Sequence, residues 1–281
     1  MSVASPKPWC ILPVLLVLVV VCTYRRSAFE RNPHLRLLKD DLYANLEHPV
    51  VAPGGTTVYY INAGSWLCKL DISADTAATL RFGWLQGFAV SPDGARLALL
   101  GHALLLADTT GAVLDTLVPV ESIESDPIDV EFSHDGFHIY YSVRGYAHGA
   151  LYYRVAIDGS SPVLVHESFG SAETPVGRWG FDLSAEDSIV DYFGSRGWPQ
   201  LSPLDDDVMA YSSGPWMSSS GDIHLLNLAT GVFTDLDCNP YPQCRTDYPN
   251  WFPDGRKLVF SATDSSDLGF FELWTLDSIE F

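Results

Sequence analysis

Asp247-Tyr-Pro-Asn-Trp-Phe-Pro-Asp-Gly-Arg-Lys-Leu-Val-Phe-Ser261, followed by Glu272-Leu-Trp-Thr-Leu-Asp277, reads as a strand, a tight turn, a second strand, a loop and a third strand. In the turn Phe252-Pro-Asp-Gly255, proline presets φ at the second position and glycine takes the left-handed conformation at the fourth. Lys257 to Ser261 and Leu273-Trp274 then supply apolar runs that favour strands.

The chain repeats this unit. Its turns are Ala52-Pro-Gly-Gly55, Ser91-Pro-Asp-Gly94, Ser133-His-Asp-Gly136, Ser202-Pro-Leu-Asp205 and Phe252-Pro-Asp-Gly255. After each comes an apolar strand: Val58–Ile61, Leu97–Leu100, Ile139–Ser142, Val208–Tyr211 and Leu258–Ser261. A further strand follows each: Trp66–Asp71, Leu104–Asp108, Leu151–Val155, Ile223–Asn227 and Glu272–Asp277. Recurrence of the whole composite is the signature of a repeat architecture rather than of isolated hairpins.

The last residues of successive turns lie 39, 42, 69 and 50 positions apart. A four-stranded propeller blade occupies roughly 40–50 residues, so three of these intervals hold one blade each. The surplus in the 69-residue interval falls around Pro175 to Trp198, where Trp179–Phe193 resembles a degenerate hairpin. It reads as a sixth, eroded blade or as an insertion on one face. The last repeat stops after its third strand, and a propeller protects its strand edges by closing the ring. Residues 35–46 are therefore expected to supply the missing fourth strand.

Val90-Ser-Pro-Asp-Gly-Ala-Arg-Leu-Ala-Leu99 and Trp251-Phe-Pro-Asp-Gly-Arg-Lys-Leu-Val-Phe260 resemble the blade repeat of TolB-type β-propellers, which is related to WD-type repeats. The resemblance covers residues 47–281 and implies an all-β, TolB-like propeller, six-bladed as most of the family are, or five-bladed with an insertion. TolB also carries an α/β domain before its propeller; here residues 27–46, a tether and the ring-closing strand, stand in its place. What carries over is the architecture and a habit of binding proteins in the periplasm.

Ahead of the repeat, Cys10 to Cys22 is apolar throughout, with Lys7 before it and Arg25-Arg26 after it. Such a run is short for a bilayer span of about 20 residues and suits a signal-peptide core. Val-Val-Val-Cys22 resembles a bacterial lipoprotein cleavage site, in which Cys22 would be acylated, although Val21 stands where Gly, Ala or Ser is usual. The competing reading is an uncleaved anchor over Trp9 to Tyr24. Either makes residues 1–26 a signal or anchor and places the rest in the periplasm or outside the cell, held at a bacterial envelope membrane.

Lys and Arg number 16 against 35 Asp and Glu, a net charge of −19. That balance repels phosphate backbones and excludes nucleic acid as a partner. No G-x-S-x-G elbow, phosphate-binding loop or helical His pair is present, so no catalytic residue is assigned. No cofactor is expected either. Glu121, Glu124, Asp126, Asp129 and Glu131, and Asp205-Asp-Asp207, offer oxygen ligands of the type calcium takes, but without a D-x-D-x-D-G loop they read as solvated acidic loops. Ser133-His134-Asp135 falls in a repeat turn and reads as part of it.

Two features remain as site candidates. Cys238 and Cys244 flank a proline-rich loop and, in an exported protein, read as a disulfide. Trp198, Trp216 and Tyr241 lie in loops where exposed aromatics anchor peptides or sugars. The resulting expectation is a non-catalytic protein-interaction module whose partner is an envelope protein or peptide. The alternative is a propeller enzyme or carbohydrate-binding protein with its site at the channel mouth.

Overall fold

The computed structural model describes residues 32–41, 44–62, 65–81, 83–119, 127–133, 135–144, 150–168, 196–205, 207–213, 222–241, 244–264 and 270–279. The first strand, β1 (Leu35–Lys39), stands apart from those that follow it in the chain. Then β2 (Leu46–Val51), β3 (Thr57–Asn62), β4 (Trp66–Asp71) and β5 (Thr76–Arg81) form one antiparallel sheet in sequence order. The next blade is β6 (Gly87–Val90), β7 (Arg96–Leu100), β8 (Leu104–Asp108) and β9 (Val113–Val118). A third holds β10 (Pro127–Phe132), β11 (His138–Arg144), β12 (Ala150–Ala156) and β13 (Val163–Ser168). A fourth holds β14 (Arg196–Leu201), β15 (Val208–Ser213), β16 (Asp222–Asn227) and β17 (Phe233–Asp235). The fifth contains β18 (Cys244–Trp251), β19 (Leu258–Asp264) and β20 (Glu272–Leu276), with β1 on its outer edge.

The described residues thus form five four-stranded blades, not the six expected. The long interval is filled by the rest of the third blade, by the start of the fourth, and by one connection from an outer strand to the next inner strand. The Trp179–Phe193 segment read as an eroded hairpin lies in that connection, outside the described residues. The apolar N-terminal segment, with Cys22, lies outside them too.

β1 completes the last blade by antiparallel pairing with β20, Leu35 opposite Leu276 and Leu37 opposite Trp274. Leu35 is buried with Trp274, Leu276 and Ile279. Asp277 fastens the seam: its carboxylate takes Lys257 Nζ at 2.9 Å and Arg36 Nε at 3.1 Å. Its backbone N–H donates to the His34 carbonyl at 3.1 Å.

Why the second strand of each blade reads as a continuous apolar run follows from its burial on both faces, since successive side chains point to opposite sides of a sheet. In β3, Val58 and Tyr60 pack with Phe252 and Val259 of the fifth blade. Tyr59 and Ile61 pack with Phe88, Leu97 and Leu99 of the second. In β7, Ala98 and Leu100 turn instead to Val130, Ile139 and Tyr141 of the third. In β19, Leu258, Phe260 and Ala262 meet Val208, Ala210 and Ile223 of the fourth. The core is therefore a set of apolar layers between blades.

The conspicuous turn residues are spent on backbone. Asp93 Oδ1 accepts from Ser91 Oγ at 2.5 Å and from the Ala95 N–H at 3.0 Å. Asp135 does the same with Ser133 Oγ and the Phe137 N–H, at 2.6 and 2.8 Å. Gly94 has φ +70, and a Cβ there would stand 3.3 Å from Pro53 Cδ of the preceding blade's turn. Each such turn leans on its neighbour, making a ring of turns at one end of the molecule.

Candidate functional site: the axial channel

The inner strands β2, β6, β10, β14 and β18 line the axis. Four residues before each turn they carry His48, Gly87, Asp129, Trp198 and Tyr248; two residues before it, Val50, Ala89, Glu131, Gln200 and Asn250. All of these except Gly87 and Trp198 border a cavity of about 280 Å³, together with Pro49, Phe88, Val90 and Pro249 and the turn residues Pro53, Ser91 and Pro92. Asp129 and Glu131 are the charged residues of its lining, and no Lys or Arg is among the described residues that border it.

In β2, β14 and β18 the outer of these positions is followed by proline: His48-Pro49, Trp198-Pro199 and Tyr248-Pro249. Proline has no N–H to give a ladder, so it settles where pairing breaks. The register shifts there, between Glu47 and Val50, between Gly197 and Gln200, and between Asp247 and Asn250. His48 and Tyr248 are left-handed, with φ of 52° and 58°. For a side chain other than glycine that conformation costs on the order of 1–3 kcal/mol, sustained by the surrounding packing. The two strained backbones bring the His48 and Tyr248 rings together, with centroids 4.0 Å apart and planes tilted by 36°.

Two residues nearer the turns, a relay of hydrogen bonds crosses from blade to blade. The Val51 N–H donates to Asn250 Oδ1 at 2.9 Å. Asn250 Nδ2 donates to Gln200 Oε1 at 3.3 Å, and Gln200 Nε2 to Glu131 Oε1 at 3.3 Å. Trp251 Nε1 donates to the Gln200 carbonyl at 3.0 Å, which fixes the strand carrying the middle of the relay. The two ends decide both amide orientations, because a backbone N–H can only donate and a carboxylate only accept. Four blades are joined in this way around the axis.

The candidates from the sequence fare differently. Cys238 and Cys244 form no disulfide in the structure: both are buried thiols in the layer between the fourth and fifth blades. Cys244 Sγ donates to the Arg245 carbonyl at 3.6 Å. Burial, then the neighbouring Asp237 and Asp222 charges, pushes the Cys238 thiol well above its ordinary value. Tyr241 is half-buried instead of displayed. Its hydroxyl donates to Glu272 Oε2, which also accepts Trp274 Nε1 at 3.0 Å, and its ring meets Trp274 edge-on at 6.0 Å. Trp198 lies on β14, but its side chain is outside the described residues, as is the whole of Trp216. Asp129 and Glu131, read as part of a loop cluster, stand on β10 at the channel wall. Among the described residues no three His, Cys, Asp or Glu side chains converge to hold a metal ion.

Sequence reasoning missed His48, Gln200 and Asn250. Their signal was present: counting back a fixed number of residues from each turn lands on them. Also missed was Trp84, 72% exposed and stacked on His102 with centroids 6.2 Å apart.

No family model and no curated protein sequence matches the chain. Its fold is similar to solved β-propellers. TolB from Acinetobacter baumannii is 17% identical, with a TM-score of 0.41 over 84% of this chain and 55% of that one. This chain thus spans 55% of the length of that TolB. Oligogalacturonate lyase from Vibrio parahaemolyticus is 11% identical, with a TM-score of 0.55 over 90% and 96% of the two chains. The β-propeller domain of Cps50 (Swd1) from Myceliophteria thermophila is 10% identical, with a TM-score of 0.52 over 86% and 100%. At these identities the likeness is one of fold: the chain is a β-propeller.

Proposed function

We propose that this propeller is a non-catalytic interaction module, exported and tethered to a bacterial envelope membrane through residues 1–26, which displays one face to a protein or peptide partner. The observation that carries this reading is the asymmetry of its connections. Up-and-down pairing puts the compact turns, including the Ser-Pro-Asp-Gly type, at one end of the strands. At the other end lie the strand ends that the connections between blades join: Lys39 to Leu46, Arg81 to Gly87, Val118 to Pro127, Ser168 to Arg196 and Asp235 to Cys244. A rigid scaffold with its variation gathered at one end is how folds carry recognition loops. In an oxidising compartment Cys238 and Cys244, which share one buried layer, would join and pin the 236–243 connection.

The test is photo-crosslinking of the full chain in its native envelope, with the reactive group at Trp84 on the loop face or at Phe137, 63% exposed beside the β10–β11 turn. The reading expects membrane fractionation that depends on residues 1–26, and a discrete adduct from position 84 but not from 137. A cytoplasmic distribution, or adducts from the turn face alone, overturns it.

A second reading, a saccharide-acting propeller, draws on the close His48–Tyr248 ring pair at the channel. Binding of a neutral oligosaccharide that is lost in Tyr248→Leu would favour it. An acidic saccharide suits this channel poorly, because Asp129 and Glu131 stand in its wall.

A further inference from the structure

We infer that Trp84 anchors the docking face, and that the protein partner meets it with an uncharged, apolar surface. The inference rests on the interaction reading above and names the residue and the chemistry of its contact.

Placement comes from the backbone. The 82–86 connection joins β5 of the first blade to β6 of the second, at the end of the strands opposite the Ser-Pro-Asp-Gly turns. It is seated on the turn between β7 and β8. The Gln86 N–H donates to the Leu100 carbonyl at 2.8 Å, and a Cβ on Gly101 would stand 2.2 Å from the Trp84 carbonyl oxygen. Leu85 is buried between the two blades with Ile61, Leu67 and Phe88. Its N–H donates to the Gly83 carbonyl at 3.0 Å, which makes a γ-turn with Trp84 at the apex. One side chain is driven into the core while its neighbour is thrust outward.

The ring itself is held. His102 of the second blade stacks on it, with planes 28° apart. At 72%, Trp84 is the most exposed large apolar side chain among the described residues. With His102 against one face, exposure on that scale leaves the other face open. Ordering of side chains and loops opposes association. A backbone pinned on both sides and a supported ring leave little of that ordering to be done.

Shape then selects the class of partner. Small-ligand sites are concave and bury roughly 70–90% of the ligand. A ring projecting from a γ-turn supplies the knob and not the hole, so its complement is the surface of another macromolecule. Tryptophan is prominent among the side chains that dominate protein interfaces.

Charge selects the surface. Charged residues make up 18% of the chain. The within-blade connections at this end of the first four blades, residues 63–65, 101–103, 145–149 and 214–221, nonetheless contain no Asp, Glu, Lys or Arg, and neither does 82–86. At the opposite end of the first two blades alone stand Asp71, Asp75, Asp93 and Asp108. Interface cores are depleted in charge and rich in aromatic side chains. A charged group buried against connections that offer no countercharge would lose water without compensation. The complement is therefore uncharged and apolar.

The experiment places a photo-reactive group at the exposed Gln86, two residues from the anchor, in the full chain in its native envelope. The resulting adduct is compared in Trp84→Ala and Trp84→Phe. It should fall at least about tenfold in Trp84→Ala and survive within about threefold in Trp84→Phe. Both variants should melt near the parent, because the indole lies outside the core. The yield should hold between about 50 and 500 mM salt, since apolar contacts are not screened. Mass spectrometric mapping should place the attachment in a stretch of the partner that lacks Asp, Glu, Lys and Arg. An adduct undiminished in folded Trp84→Ala, one that fades as salt rises, attachment to a charged stretch, or an adduct at 84 with none at 86 overturns the inference. So does an adduct to lipid, to saccharide or to a second copy of this chain. The first four of these results leave a membrane-held protein with a loop-face partner and remove only the anchor. Cytoplasmic fractionation, or no adduct from either 84 or 86 in the parent, removes the interaction reading itself and the anchor with it.

Discussion

Leu204 of the fourth blade sits directly over Gly255 of the fifth: a Cβ on Gly255 would collide with Leu204 Cγ and stand 3.1 Å from its Cβ. Elsewhere the corresponding glycine meets the proline of the preceding turn, as Gly55 meets Pro253 at 3.7 Å. The difference arises because the fourth turn, Ser202-Pro-Leu-Asp205, has leucine where the first has glycine and the second, third and fifth have aspartate.

Gly255→Ala should therefore cost more than Gly55→Ala. Both suffer the left-handed backbone penalty of about 1–2 kcal/mol for a residue with a Cβ. Gly255→Ala adds overpacking against Leu204, typically about 1–3 kcal/mol. Urea unfolding of the two variants, and of Gly255→Ala combined with Leu204→Ala, should show the extra cost cancelled in the double variant. Equal losses at both glycines would refute the crowding argument.

The relay is testable through its first acceptor. Asn250→Ala leaves the Val51 N–H without Asn250 Oδ1 and breaks the link to Gln200, an expected loss of about 1–3 kcal/mol in unfolding free energy. Gln200→Ala removes only side-chain links and should cost less. A double-mutant cycle should return a coupling of about 0.5 kcal/mol or more, since the residues share a network.

Closure of the fifth blade depends on an apolar side chain far away in sequence. Leu35→Ala should destabilise by about 2–5 kcal/mol, as for other buried leucines, while Leu37→Ala, 41% exposed, should cost far less. Denaturation of the pair reads the difference directly. A Leu35→Ala protein as stable as its parent would show that β1 does not hold the ring.

Asp93 carries a pH signature. The Ser91 hydroxyl, then the Ala95 N–H and the Arg96 charge, hold its carboxyl below the ordinary 3.8. Asp71, Asp108 and Asp158 are lowered by hydroxyl and backbone donors in their own turns. A carboxyl whose folded-state pKa is depressed contributes stability above its unfolded value and loses it as pH falls through the folded value. Below about pH 4, then, these turns should weaken together. NMR titration of Ser91→Ala should find Asp93 moved up toward 3.8, with the acid-unfolding midpoint also higher; an unmoved Asp93 would discount the hydroxyl.

The sequence determined the propeller because its cause is local. A Pro-Asp-Gly turn is written in consecutive residues, and a strand buried on both faces must read as an apolar run such as Leu97–Leu100. Even the edge left open at Leu276 could be inferred, since an unfinished blade needs a partner. The channel was harder to read. His48, Glu131, Gln200 and Asn250 lie on four inner strands at fixed distances before their turns, but nothing within those segments says that the positions share one axis. Only ring closure brings them around one axis, where Asn250 meets Val51 from 199 positions away in the chain. Tertiary packing likewise decided the five blades of the described residues and the half-buried seat of Tyr241 against Trp274. Each depends on which surfaces meet across blades, and that information is carried by no segment alone.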